Sequence, residues 1–540
     1  MKKKTFDLIV IGAGINGAAI AREAALHKLK VLVLDQGDLC SGTTGWSSRL
    51  IHGGLRYLEH AELSLVYESL AERERLLQAA PHLVQPLGLY IPIYRGGRRP
   101  PWQIRAGMIL YDLLSWKKSF PRHDMYSVAG LAERLPSLNS EGLLGGAFYF
   151  DGQVTFPERL VVENLRDATD HGAELATYTQ ATSFIVERGR VRGLRWRNRM
   201  GQEGEARAAV IVNAAGPWVD EVLGDLGKRP FIGGTKGSHL VVDPFPGAPD
   251  AALYVEASSD GRPFFILPWN DLLLIGTTDQ RYEGDPGEVS ISDDELEYLV
   301  RETQRVFPQA TDLRERVLYT QAGVRPLPHR PRGREGAITR RHIIRHHRRR
   351  ARGLYSVIGG KLTTHRALAE DVMTRVAKRL GLRGADSPTR TRRLPGALPS
   401  EERDSLLNGI AARLNRRQAD RLWHLYGGGA TVIESLIGQN QQLATEICPH
   451  SGAMVAELIH ALEAEHAVTL IDILQRRCMA GLCRDFGLQA AQNATDWLTR
   501  LTIWDAARAE QELADYRNYS ARFRVRVTTD EKAYGGSDAR

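Results

Sequence analysis

The chain has 540 residues, 43% of them hydrophobic and 25% charged, with a net charge of +8. That length calls for two or three domains, and the balance excludes a disordered or fibrous chain. A moderate positive charge suits an anionic substrate, an anionic membrane surface or nucleic acid, and does not choose among them.

The four cysteines, Cys40, Cys448, Cys478 and Cys483, contain no C-x-x-C pair, so neither a zinc site nor a disulfide framework is indicated and a reducing compartment is expected. No apolar run approaches the roughly twenty residues that span a bilayer, so membrane contact is expected to be peripheral.

The first element is an apolar strand, Leu8 to Ile11, running into Gly12-Ala-Gly-Ile-Asn-Gly17 and an Ala-rich helix. Strand, glycines and helix in this order predict a dinucleotide site. Gly12 serves the tight turn, Gly14 close approach to a pyrophosphate, and Gly17 helix packing, with the phosphates on the helix N-terminus beside Asn16. A second strand, Lys30 to Asp35, ends in a carboxylate placed for a ribose hydroxyl.

A small polar loop, Ser41 to Ser48, follows. From Leu55 to about Gln78 the pattern is helical, with Leu58, Val66 and Leu70 inward and Glu72 to Arg75 toward solvent. Gly145 to Phe150 and about Glu174 to Arg207 read as strands of a separate sheet. The pattern returns to the nucleotide domain at Ala208 to Trp218, where Ala215 and Gly216 form a turn suited to close cofactor approach. Strands dominate from Lys236 to Asp279, Ser292 opens a helix with a capping box, and a long helix follows Gly359 to Thr364.

Residues 386–399 read as a linker, 400–520 as a helical domain and 521–540 as a frayed tail. The expected class is α/β. Residues 1–385 form interleaved domains: an FAD-binding part (about 1–80, 150–170, 205–235 and 335–385) and a mainly β substrate part (about 81–149, 171–204 and 236–334).

This interleaving is that of flavoproteins of the D-amino-acid oxidase type. Arg49 to Glu59 (RLIHGGLRYLE), Lys236 to His239, Gly276 to Asp279, Gly323 to Leu327 and Gly359 to Thr364 resemble the FAD-dependent, aerobic respiratory glycerol-3-phosphate dehydrogenases in the family's order. The resemblance implies FAD, hydride transfer from sn-glycerol 3-phosphate to flavin N5, and ubiquinone or menaquinone as acceptor. It also implies a peripheral place on the cytoplasmic face of the inner membrane, with a homodimer left open. No transit peptide or EF-hand loop is seen, which favours a bacterial-type enzyme.

Small residues and donors suited to a flavin are Thr43, Thr44, Ser47, Ser48, Gly53 and Gly54, with Gly359, Gly360, Lys361, Leu362, Thr363 and Thr364. Arg56, Arg325 and Arg340 lie in motifs that resemble the family's phosphate positions; Tyr57 adds a hydroxyl and Lys361 a point charge. His239 is taken as the base and His52 as a flavin or substrate contact, an assignment that can be reversed; Arg325 and Lys361 would stabilise the developing alkoxide.

The sequence departs from the family pattern at Arg49 (usually Lys), His365 (often Tyr), Ala19 (commonly Gly) and Phe156 to Glu158 (an acidic pair). Arg95 to Lys118, with Trp102, Ile104, Met108, Ile109, Leu110 and Trp116, has the composition of an interfacial helix or of a core helix with basic ends. The basic run Arg340 to Arg352 is expected as a hairpin with a solvated tip, and no metal or nucleic acid is expected. Rival readings are an oxidase that hands electrons to oxygen, an amine oxidase of the same superfamily, and a non-catalytic flavin protein.

Overall fold

The computed structural model describes residues 4–60, 62–115, 119–331, 338–382 and 386–525. Strand β1 (Thr5–Ile11) enters helix α1 (Ile15–Leu26), which returns through β2 (Val31–Leu34). The two strands pair in parallel, and β1 also pairs in parallel with Glu203–Asn213, which pairs in parallel with Leu354–Ile358. Leu8, Ile9 and Val10 are fully buried because helices or strands cover both faces, which suits a continuous apolar run better than alternation. A Cβ on Gly17 would lie 1.8 Å from the Gly12 carbonyl oxygen, so only glycine lets α1 pack this close to the turn.

The chain then forms β3 (Leu50–Ile51), a 3-10 turn Leu55–His60, helix α2 (Leu63–Ala79), strand β4 (Val84–Tyr94) and helix α3 (Pro101–Leu114). Strands β3 and β4 belong to a second, ten-stranded and mainly antiparallel sheet. Thr235–Val242 runs through it, flanked by Leu272–Gly276 and Val317–Arg325. That register sets the His239, Gly276 and Arg325 motifs side by side.

Several expectations change. Glu174–Ala176, Thr179–Glu187 and Arg190–Asn198, expected in the substrate part, belong to the nucleotide sheet: the first pairs with β2, and Glu203–Asn213 is long enough to pair with both β1 and the hairpin of the other two. The strand Leu143–Val154 lies in the second sheet across the expected boundary at 150. Glu72 and Arg73 are buried: Glu72 pairs with Arg366 at 2.7 Å and Arg73 with Asp151 at 2.5 Å. Charge pairing, not solvent, accounts for that part of the run.

The segment from 386 to 399 is a strap on the nucleotide domain: Arg22 donates to the carbonyls of Arg392 and Arg393, and the Gly396 N–H to Glu163. The C-terminal helices, Ser400–Arg413 to Ala506–Ala521, are docked through buried ion pairs. Arg159 grips Glu465 with two bonds of 2.7 and 2.8 Å, and Asp38 accepts from both Arg476 and Arg477.

The capping box at Ser292 and the hairpin Ile343–His346/Leu354–Ile358 with its basic tip are present. Trp116, residues 383–385 of the expected FAD part and residues 526–540 of the expected tail lie outside the described residues.

Candidate active site

Two adjoining cavities carry the predicted residues. The larger, about 450 Å³, opens at the N-terminus of α1 and is lined by Gly12, Gly14, Asn16 and Asp35, by Thr43, Thr44 and Ser47, by Ala215 and Gly216, and by Gly359 to Leu362. The Asp35 carboxylate accepts the Ala13 N–H at 2.6 Å and the Gly37 N–H at 2.9 Å, which fixes it at the end of β2. Burial pushes its carboxyl up to about 6 despite these bonds. Thr44 Oγ1 accepts the Ile15 N–H at 3.2 Å, and Thr43 donates to the Val324 carbonyl at 2.5 Å, tying the polar loop to both domains.

A dinucleotide fits this donor set. The first-turn amides of α1 open on the cavity, and the buried Asn16 Oδ1 has no hydrogen-bond partner among the described residues.

The second cavity, about 190 Å³, is lined by Ser48, His52, Gly54, Arg56 and Tyr57, and by Arg325 and Arg340. Arg262, Asp279 and Glu62 also belong to its polar wall. Asp279 lies 3.1 Å from Arg262, 3.3 Å from Arg325 and 3.5 Å from Arg340. Burial alone would raise its carboxyl; the guanidiniums of Arg325, Arg340 and Arg262 outweigh that and hold it down.

Burial and the neighbouring cations push Arg325 down to about 10, and Arg56 is lowered for the same reasons. Arg340 Nη1 is buried without a hydrogen-bond partner among the described residues. Four guanidiniums against two carboxylates, Asp279 and Glu62, leave a net positive cavity with an unsatisfied donor, which suits a phosphate dianion.

The two histidines are placed differently. His52 lines the cavity, and burial followed by the Lys361 and Arg73 charges lowers it to about 3, so it is neutral at physiological pH. His239 is 1% exposed and lies behind Ser48, whose Oγ is 2.8 Å from its Nε2. Burial, with Arg325 and Arg49 nearby, also holds His239 at about 3.

Lys361 lines the nucleotide cavity; its Nζ donates to Ser69 Oγ at 2.9 Å and to the His52 carbonyl at 3.4 Å, and lies 4.5 Å from the centre of the Tyr57 ring. Desolvation lowers it to about 7.

Other predicted cofactor residues stand back from both cavities. Gly17 serves helix packing, and Gly53 makes room for Tyr111, whose hydroxyl oxygen a Cβ would meet at 2.5 Å. Thr363 accepts the His52 N–H at 3.1 Å, and Thr364 is the N-cap of the helix His365–Leu380. Sequence reasoning missed Asp279 and Arg262 as site residues. Asp279 stood in the quoted Gly276 to Asp279 motif, whereas nothing local marks Arg262.

A third cavity, about 260 Å³, shares Leu55, Arg56 and Tyr254 with the second and is otherwise mostly apolar along the inner side of α3. The outer side of α3 exposes Trp102, Ile109 and Leu113, and α2 exposes Leu63 and Tyr67. Among the described residues no helix is long and apolar enough to cross a membrane, and no group of side chains has the makings of a metal site.

Residues 7–374 match the FAD dependent oxidoreductase family, and residues 370–509 match the C-terminal domain of alpha-glycerophosphate oxidase. The glycerol-3-phosphate dehydrogenase of Synechocystis sp. is 42% identical over 535 residues, covering 96% of this chain and 97% of that protein. The aerobic glycerol-3-phosphate dehydrogenase of Escherichia coli is 35% identical over 511 residues, covering 92% and 98%.

The solved structure of glycerol-3-phosphate dehydrogenase from Bacillus halodurans complexed with FAD superposes with a TM-score of 0.79 at 26% identity, covering 97% and 96% of the two chains. With fold, fingerprint and nucleotide cavity in agreement, the chain belongs to the FAD-dependent oxidoreductase family, among the glycerol-3-phosphate dehydrogenases, and FAD is its cofactor.

Proposed function

We propose that the protein oxidises sn-glycerol 3-phosphate to dihydroxyacetone phosphate and passes the electrons to a membrane quinone. The observation that carries this reading is the cavity beside the nucleotide site, where Arg56, Arg262, Arg325 and Arg340 surround Asp279 within reach of a neutral histidine. Arg325 and Arg340 bind the phosphate, with Arg56 and the Tyr57 hydroxyl beside them. His52 takes the hydroxyl proton: it lines the cavity, whereas His239 meets it only through Ser48. FAD, held by the residues that line the larger cavity, would supply the hydride acceptor for the alcohol carbon. Lys361 and Arg325 favour the negative charge that develops as the proton leaves.

The electron route is supported by the apolar cavity along α3 and by the exposed Trp102, Ile109 and Leu113. An apolar face with a basic neighbour such as Arg105 suits the interface of an anionic membrane, where a quinone is available. A peripheral position on the cytoplasmic face goes with this reading.

The test is anaerobic mixing of the flavin-loaded protein with glycerol 3-phosphate. Bleaching of the oxidised flavin band, absent with glycerol, supports the substrate assignment; an unchanged band rejects it. Reoxidation of the bleached enzyme by a quinone much faster than by dioxygen supports the dehydrogenase; the reverse, with stoichiometric peroxide, makes it an oxidase.

A further inference from the structure

The C-terminal helical domain brings together two thiols that the sequence keeps apart. Cys448 ends the strand Glu446–Cys448, and Cys483 follows the 3-10 turn Ala480–Leu482. Their Sγ atoms lie 3.7 Å apart, and both are free and buried. The pair lies just under the surface, since Pro449 and His450, which follow Cys448, are exposed.

The two sulfurs have different neighbours. Cys448 Sγ accepts the Ser451 N–H at 3.4 Å, and its own thiol points its hydrogen at Cys483 Sγ. Cys483 Sγ lies 3.0 Å from Asp485 Oδ1, a carboxylate fixed by the N–H groups of Gly487 and Gln489. Contact with Cys483, then the Ser451 hydrogen bond, holds the Cys448 thiol down to about 6 against its burial, while Cys483 is pushed up. Once Cys448 gives up its proton, its sulfur stands beside a second thiol that has a proton-accepting carboxylate at hand, the arrangement of a nucleophile and its resolving partner. Cys40 and Cys478 are both raised by burial, Cys478 to about 12.

We propose that Cys448 and Cys483 are a redox-active dithiol that a hydroperoxide converts into an intramolecular disulfide. The Cys448 thiolate attacks one peroxide oxygen; the O–O bond breaks, a sulfenic acid forms on Cys448, and hydroxide leaves and takes up a proton. Cys483 passes its proton to Asp485 and attacks the Cys448 sulfur. The S–O bond breaks as the S–S bond forms, and the departing hydroxide takes the proton from Asp485. With hydrogen peroxide, two thiols give up two electrons and two protons, and two waters result.

The bond would tie the hairpin Glu446–Cys448/Ala453–Met454 to the turn whose Leu482 carbonyl accepts from Tyr319 at 3.0 Å and from Asn270 at 2.9 Å, both residues of the substrate domain. Neither cysteine lines the nucleotide or substrate cavity, so turnover is expected to continue in the oxidised protein.

The experiment treats the full-length, flavin-loaded protein with hydrogen peroxide, alkylates the remaining thiols and maps the peptides by mass spectrometry without reduction. The expected result is a Cys448–Cys483 cross-link with the loss of two hydrogens, reversed by dithiothreitol, with glycerol 3-phosphate oxidation retained. C483S should stop at a Cys448 sulfenic acid that dimedone traps, C448S should give neither product, and C478S should still form the bond. A Cys448–Cys478 cross-link, oxidation of Cys448 to sulfinic acid without pairing, or four unreacted thiols in the native protein would each overturn the proposal. Mapping of the unsubstituted protein decides the matter even where a variant fails to fold.

Discussion

Ser48 and His239 form one hydrogen-bonded unit, Oγ to Nε2 at 2.8 Å, with the hydroxyl on the cavity wall and the imidazole sealed behind it. The arrangement separates the two histidines by what each can reach. H52N should slow anaerobic flavin reduction by about 10²- to 10⁴-fold, the range for losing a positioned base. H239N removes a brace on Ser48 and should cost about tenfold, the worth of one hydrogen bond. Rapid-mixing absorbance at the flavin band measures both. The opposite order would return the base to His239.

Lys361 supplies a pH dependence with a definite sign. Desolvation lowers it to about 7, so its cation is present below that pH and is lost as the pH rises through it. His52, lowered to about 3, stays neutral across this range. The profile of kcat/KM should therefore fall on the alkaline side of about 7 in the wild-type enzyme. K361R, which stays charged, should lose that limb, whereas K361M should lower the rate throughout. A limb that persists in K361R would assign it to another group.

The proposed phosphate clamp would depend on the shape of its donors as well as their charge. R325K keeps a cation but loses the fork that donates to Thr277 and Asp279. Its KM for glycerol 3-phosphate should rise by roughly 10- to 100-fold, matching about 1.5–3 kcal/mol for charge-assisted bonds. R340M should act in the same direction, since it removes the buried Nη1 left without a partner among the described residues. Steady-state kinetics with glycerol 3-phosphate checks both, and a KM left unchanged in either variant would remove that arginine from the clamp.

Arg49 and Glu158, far apart in sequence, meet in one buried pair. Arg49 Nη1 and Nη2 approach the carboxylate at 3.0 and 3.2 Å, and the guanidinium lies 4.5 Å from the centre of the Trp269 ring. E158Q leaves a buried guanidinium short of its counter-charge. It should destabilise the protein by about 3–5 kcal/mol, read from denaturant unfolding, with flavin still bound in the folded fraction. An unfolding midpoint unchanged from wild type would mean the pair contributes nothing net.

The face formed by Trp102, Ile109 and Leu113 can be tested apart from the chemistry, since none of the three lines the nucleotide or substrate cavity. A W102E/I109E/L113E variant should bind vesicles of anionic phospholipid at least about tenfold more weakly, as each side chain gives up an apolar contact and adds repulsion. Flavin reduction by glycerol 3-phosphate in solution should stay within about twofold of wild type. Sedimentation with vesicles reads the first quantity and rapid mixing the second; undiminished binding would move the contact elsewhere on the surface.

The elements that carry the cofactor were legible because their signals are local. Gly12 to Gly17 between a strand and a helix, Asp35 at the end of the next strand, and the capping box at Ser292 each lie within a few residues, and the structure keeps each as read. The basic hairpin beyond Arg340 was visible for the same reason. Buried charge was not: Glu72 and Arg73 look like a solvated face until Arg366 and Asp151, far away in sequence, are folded against them. Arg262 joined the phosphate wall in the same way, through Asp279.

The sequence alone thus determined the fold class, the dinucleotide fingerprint and the stock of cations and histidines available for chemistry, since composition and short-range spacing are enough to specify these. Tertiary structure alone decided which of them share a cavity. Pairing of Thr235–Val242 with Leu272–Gly276 and Val317–Arg325 sets His239 behind Ser48 and gathers three arginines on Asp279, while the docked helical domain brings Cys448 to Cys483. These are contacts between residues distant in the chain, fixed by strand register and by the burial of paired charges, and no local pattern encodes them.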